Sequence, residues 1–133
     1  MKKNWNLYQE ILHQLHEAIY FVDRNRTIIF WNKEAERITG FLANELIGKH
    51  CHDNVLNHVD ENGVPLCHSA CPLERTIYDG ASRVAKVFLQ HKQGHRVAVL
   101  IKTTPILAHH EVIGAVEAFI EETTAIDERR EIE

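Results

Sequence analysis

Ala18-Ile-Tyr-Phe-Val-Asp23, Arg24-Asn-Arg26 and Thr27-Ile-Ile-Phe-Trp31 are the residues that decide the fold. Two short β-branched and aromatic runs flank a three-residue polar turn, the pattern of an antiparallel hairpin. Asn32 follows at once and suits a helix N-cap, with Lys33–Thr39 as a short helix and Gly40 as its stop. Upstream, Tyr8, Ile11, Leu12 and Leu15 take the i, i+3, i+4, i+7 spacing of an amphipathic helix over residues 4–17. Downstream, Asn44 caps a further turn through Leu46 and Ile47, closed by Gly48.

The second half of the chain returns to strands. Pro72 fits the first helical position of a helix to about Tyr78, ended by Asp79-Gly80. Residues 82–91 alternate, with Val84, Lys86 and Phe88 on one face and Ala85, Val87 and Leu89 on the other. Lys92-Gln93-Gly94 turns into a strand over 95–106, and a loop at 107–111 leads to a last strand over 112–121. Strands at both ends with helices between predict an α+β fold, a five-stranded antiparallel sheet with short helices on one face. The expected organisation is an N-terminal amphipathic helix at 1–17, a core at 18–121 and the start of an outgoing helix at 122–133.

Composition bounds the function. The chain has 133 residues, 44% of them hydrophobic, and a formal charge of −4, enough for one packed domain. No run of Lys and Arg exceeds two residues, so a basic footprint for nucleic acid is missing. The longest apolar runs, Ala18–Val22 and Val97–Ile101, have five residues, far short of the ~20 a membrane helix needs. A cytoplasmic protein is expected, and its three cysteines, an odd number, argue against a closed disulfide framework.

Those cysteines are concentrated. Cys51, Cys67 and Cys71 share one stretch with His52, His58 and His68, a C-x15-C-x3-C spacing with interleaved imidazoles. Thiolates and imidazoles are the donors that select zinc or iron–sulfur clusters, so these six residues are the candidate metal ligands. The alternative is that the thiols simply pack in the core or act as a reversible thiol switch. Phe21, Phe30, Trp31, Phe88 and Phe119 are candidates to line a ligand pocket, although their strand-like spacing also suits a core. No catalytic constellation stands out: Gly94 and Gly114 are isolated, and Cys51 and His52, as sequence neighbours, point apart. The His109-His110 pair is expected at a hairpin tip.

The ordered set of elements resembles a PAS domain. The opening hairpin and helix, then Thr39-Gly40-Phe41, Glu45-Leu46-Ile47-Gly48-Lys49, Gly94-His-Arg96, Thr104-Pro105-Ile106 and Ile113-Gly114, carry the resemblance over residues 10–124. Glu121-Glu122-Thr123 stands where such domains carry an Asp-x-Thr element at the start of the output helix. Gly48-Lys-His-Cys51, His58-Val-Asp60, Gly63, Leu66-Cys67 and Cys71-Pro72-Leu73 are similar to the Cys-containing PAS domains that precede bacterial GGDEF-type diguanylate cyclases and histidine kinases. The resemblance implies a non-enzymatic sensory input module for a small ligand, metal or redox state, relaying to an output domain of the same polypeptide. It also implies a homodimer, with Tyr8, Ile11, Leu12 and Leu15 as dimer or packing surface. A cofactor-free dimerisation or protein-interaction module with structural cysteines is the rival. The resemblance leaves the cofactor open: an iron–sulfur cluster or zinc is the first candidate and haem ranks behind. Flavin is not expected, because His50 and His52-Asp53 replace the Asn and Arg-Phe of the photosensory motif.

Overall fold

The computed structural model describes residues 2–51, 55–66 and 71–122. Its elements are α1 (Lys2–His13), β1 (Ala18–Asp23), β2 (Ile28–Trp31), α2 (Lys33–Thr39), α3 (Ala43–Leu46), α4 (Pro72–Asp79), β3 (Arg83–Gln90), β4 (Arg96–Ala108) and β5 (Glu111–Glu121). The strands form one antiparallel sheet in the order β2-β1-β5-β4-β3. The last strand therefore lies at the centre, between the opening hairpin and the β3–β4 pair.

Alternation along the strands sorts side chains onto two faces. The inner face carries Tyr20, Trp31, Val87, Leu89, Val99, Ile101 and Phe119, which pack with Leu46, Leu56, Leu73 and Ile77 into one buried core. The outer face carries Phe21 and Phe30, with ring centroids 5.0 Å apart and Trp5 of α1 lying 6.5 and 6.1 Å from them. Thus α2, α3 and α4 collect on one face and α1 covers part of the other.

Local chemistry explains the helix ends. Asn32 caps α2 by accepting from Ala35 N, and Gly40 ends it at φ 79°, a left-handed conformation open to glycine. Gly80 closes α4 in the same way at φ 72°, and Pro72 opens it. Three expectations need correction. The first helix, expected to reach Glu17, ends at His13, and the turn that follows leads into β1. Asn44 lies inside α3 rather than capping it, because Glu45 reaches back to accept from Leu42 N and fixes the start earlier. The loop expected at 107–111 is a tight turn: β4 runs on to Ala108 and β5 starts at Glu111, leaving only His109 and His110 between. Both take positive φ, 53° and 67°, the conformation a two-residue type I′ hairpin turn requires.

Asn32 does more than cap a helix. Fully buried, it accepts from Ile19 N and donates to Leu12 O and Glu17 O, so one side chain joins the end of α1, the entry to β1 and the start of α2. The Lys33 N–H, next in the chain, donates to His13 Nδ1 at 3.2 Å.

Candidate functional site

On the helix-bearing face, residues 47–51 are fastened to one edge of the sheet and residues 55–59 to the other, and together they are called the strap. At the β2 edge, Ile28 N bonds Lys49 O, Gly48 N bonds Ile28 O, and Cys51 N bonds Arg26 O, all within 2.9 Å. At the β3 edge, Val59 and Phe88 exchange both backbone bonds at 2.9 Å and Gln90 N donates to Leu56 O at 2.7 Å. Both edge strands are thereby covered by the described parts of the strap.

Beneath it lies a polar row. Tyr20 on β1, Glu117 on β5 and Thr103 on β4 are register partners across the inner face. Glu117 is 2% exposed and hydrogen-bonded to Tyr20, while Thr103 meets Thr76 of α4 oxygen to oxygen at 2.6 Å. His58 comes down from the strap and brings its Nε2 to 3.8 Å from Glu117 Oε2. Both atoms are buried and have no hydrogen-bond partner.

Burial decides the charge of this row. It pushes the Glu117 carboxyl up to about 7, the hydrogen bond from Tyr20 pulling weakly the other way. Burial, then the nearby Arg96 guanidinium, pushes the His58 imidazole down to about 4. The Tyr20 phenol is raised well above its ordinary value by burial and then by Glu117, Cys51 and Cys71. The pair has ion-pair proximity, but desolvation favours the neutral form of each partner. We therefore read it as an uncharged pair.

The candidate metal ligands divide. Cys51 and Cys71 are both buried in the inner-face core, close enough to Tyr20 to act on its phenol, and His58 stands on Glu117. His52, Cys67 and His68 lie outside the described residues. Among the described residues, no group of three His, Cys, Asp or Glu side chains converges as a metal site. Of the six candidates, Cys51, Cys71 and His58 are the ones described.

The five candidate pocket aromatics do not form one wall. Trp31 and Phe119 flank Tyr20 on the inner face at 5.1 and 6.2 Å, and the Trp31 indole N–H donates to Phe41 O at 3.0 Å. Phe21 and Phe30 face outward against Trp5, and Phe88 shares the outer side of β3 with Lys86, whose ammonium lies 5.7 Å from the ring. The reason is the period of two: Phe21 follows Tyr20 and Phe30 precedes Trp31, so neighbours take opposite faces. On α1, Leu12 is half-buried, whereas Tyr8 and Ile11 remain 54% and 50% exposed, and Leu15, two residues past the helix, 41%. The helix docks through Trp5, Leu12 and His13 and turns the rest of its stripe to solvent. Glu117 and Tyr20 were missed in the sequence. A lone acid at an inward position of the apolar run Ala115–Ile120 was the available signal, since carboxylates are almost never fully buried without a partner.

The PAS fold model matches residues 6–119 of this chain. Among solved structures, the PAS domain of a Colwellia psychrerythraea protein aligns with a TM-score of 0.73 at 20% identity, over 91% of this chain and 98% of that one. A PAS domain from a two-component sensor histidine kinase aligns at 0.69 and 14% identity, over 91% of this chain and 98% of that one. The Rhodobacter sphaeroides LOV protein aligns at 0.73 and 14%, covering 92% of this chain and 68% of that one. No curated protein matches. Among the described residues, no helix is long and apolar enough to cross a membrane. With a family model spanning most of its length and the five-stranded sheet in place, the chain belongs to the PAS family.

Proposed function

We propose that this domain is the sensory input module of a cytoplasmic bacterial signal-transduction protein. A small ligand, a metal or a redox change beneath the strap alters the packing of the sheet. The central strand β5 carries that change to the residues after Glu122 and on to an output domain such as a diguanylate cyclase or histidine kinase. The observation that supports this reading most is Glu117. It sits on β5, the last strand before the exit, and points a buried, partnerless oxygen at His58 on the strap. One side chain therefore touches both the candidate sensing segment and the strand that leaves the domain. The likeness to a sensor histidine kinase PAS domain is in keeping with this output.

The role is proposed to be non-catalytic, in keeping with membership of the PAS family. If a metal is the signal, Cys51, Cys71 and His58, with Cys67, His52 or His68, would hold an iron–sulfur cluster or zinc. The rival reading, a cofactor-free interaction module with structural cysteines, draws on the burial of Cys51 and Cys71 in the core. The domain is proposed to work as a homodimer.

The test is an absorption spectrum of protein purified without oxygen, with metal analysis, before and after air. A sulfur-to-iron charge-transfer band that bleaches in air establishes a labile cluster. Stoichiometric zinc with a featureless spectrum establishes a zinc site, a Soret band moves the reading to haem, and a flavin spectrum to flavin. A featureless, metal-free protein in which Cys51→Ser and Cys71→Ser change only stability overturns the metal and redox readings.

A further inference from the structure

We infer that a cavity where α4 meets the β1–β2 turn and the start of β3 binds a small organic oxyanion, a carboxylate or phosphate ester on an apolar body. The cavity measures about 710 Å³, within the ~300–1,000 Å³ of small-molecule sites. Its described lining includes no residue of the strap, so it is a different place from the row of Tyr20, Glu117 and His58.

Three guanidiniums and two carboxylates line this cavity, and the way they pair leaves positive charge over. Arg83 is spent: it clasps Asp79 with two nitrogens and donates to Ala81 O. Glu74 is offset by Arg26, 3.8 Å away. Arg24 donates one N–H to a neutral carbonyl, Val112 O, which leaves its charge uncompensated and further donors unused. Among the described residues, the Arg75 side chain has no hydrogen bond or ion pair. Two uncompensated guanidiniums on one cavity stand out in a chain of formal charge −4. Each is a planar fork that matches two oxygens of a carboxylate or phosphate.

Exposed guanidiniums alone hold an ion weakly, because water and salt screen them. The cavity wall supplies the rest. Ile77 and Cys71 give it apolar surface continuous with the core, and the ring of Tyr78 stands beside them 90% exposed. A bare inorganic ion leaves that surface wet, whereas an organic body covers it and gains from the area removed from water. Held by Arg24 and Arg75 together, the ligand joins α4 to the start of β5, which Arg24 already grips at Val112 O.

The experiment uses benzoate and phenyl phosphate as probes, with benzamide as the neutral isostere and inorganic phosphate as the anion without a body. Binding to the purified domain at neutral pH and low salt is read by calorimetry and by NMR shifts. Benzoate or phenyl phosphate is expected to bind at least about tenfold tighter than benzamide or inorganic phosphate, the worth of one charge-assisted hydrogen bond. Either order of the two probes supports the proposal, and the tighter one assigns the oxyanion. Arg24→Gln and Arg75→Gln should each weaken binding by about tenfold, and Arg75→Lys, which keeps the charge but loses the fork, by less. Both arginines are exposed, so these variants should fold. Lys33→Gln removes the same charge from α2 and should leave binding unchanged. Benzamide binding as tightly as both anionic probes, or inorganic phosphate as tightly as phenyl phosphate, would overturn the proposal. So would a loss in Lys33→Gln equal to that of the arginine variants, or no binding of any probe.

Discussion

His58 and Glu117 depart from their ordinary protonation in opposite directions by similar amounts, and this makes a pH experiment decisive. Glu117 has its folded value raised to about 7, so the stability it contributes is present below about 4.5 and is lost as pH rises towards 7. His58 has its folded value lowered to about 4, so its contribution is present above about 6.5 and is lost as pH falls towards 4. The two slopes oppose one another over nearly the same window. Denaturant melts of the wild-type domain between pH 4.5 and 6.5 should therefore show little dependence from this pair. Glu117→Gln should unmask stability that rises with pH, and His58→Gln stability that falls, each by about 2–3 kcal/mol across the window. Parallel profiles for all three proteins would show that neither group is held neutral by burial. Asn32 permits a second experiment at this scale. Asn32→Asp keeps the acceptor for Ile19 N and Ala35 N but sets a second oxygen against the carbonyls of Leu12 and Glu17. Loss of about 2–3 kcal/mol is expected, with protease cutting appearing first between α1 and β1. Uniform unfolding with no early cleavage there would mean that Asn32 does not hold α1.

At the scale of elements, the β4–β5 hairpin and the β1–β5 pairing each depend on a backbone detail. His109 and His110 occupy the left-handed region, which costs a residue with a Cβ about 1–2 kcal/mol. Replacing them with Asn-Gly, the pair this turn favours, should raise stability by about 1 kcal/mol in a denaturant melt, whereas Ala-Ala should not. Gly114 lies opposite Asp23, and a Cβ there would stand 2.1 Å from Val22 O. Gly114→Ala must push β1 away from β5 and should cost about 3 kcal/mol, while Gly63→Ala, with open space around it, should cost only about 1–2 kcal/mol of backbone strain at φ 78°. These details also show why the elements were legible in the sequence and the site was not. Period-two alternation, Asn32, Gly40, Pro72 and Gly80 are local signals, and they marked the hairpin, α2 and α4 to within a residue or two. Glu117 and His58 are 59 positions apart and meet only because β5 inserts beside β1 and the strap is fastened along β3. The segment holding Cys51 and His58 announced itself by composition, but its partner across the interior is one acid in an ordinary strand. Phe21, Phe30 and Phe88 stand on the outer face, apart from Trp31 and Phe119, for a similar reason: aromatic content can be read locally, whereas the face each ring takes is decided by the whole sheet.

The outer face raises the question of the whole molecule. α1 covers Phe21 and Phe30 at one side of the sheet and leaves Val84, Leu100, Ala118 and Ile120 lining a shallow groove at the other. Leu7, Tyr8, Ile11 and Leu15 project from α1 and its end into solvent, at least 41% exposed. Glu17, just beyond α1, lines the same groove, so exposed stripe and open groove adjoin on one surface. A two-fold related copy can lay its stripe on the groove while offering its own groove in return, which makes an isologous contact that closes on itself. Such a contact would bury β5 from outside while His58 of the strap meets it from within, placing the central strand between partner and candidate ligand. The expected outcome is a dimer in sedimentation velocity whose melting temperature rises with protein concentration. Ile11→Ser with Leu15→Ser should yield a folded monomer, because neither side chain is needed for the inner-face core. Val84→Lys, from the groove side, should do the same. If both variants sediment like the wild type, the stripe and the groove are not the dimer interface, and α1 docks on its own sheet alone.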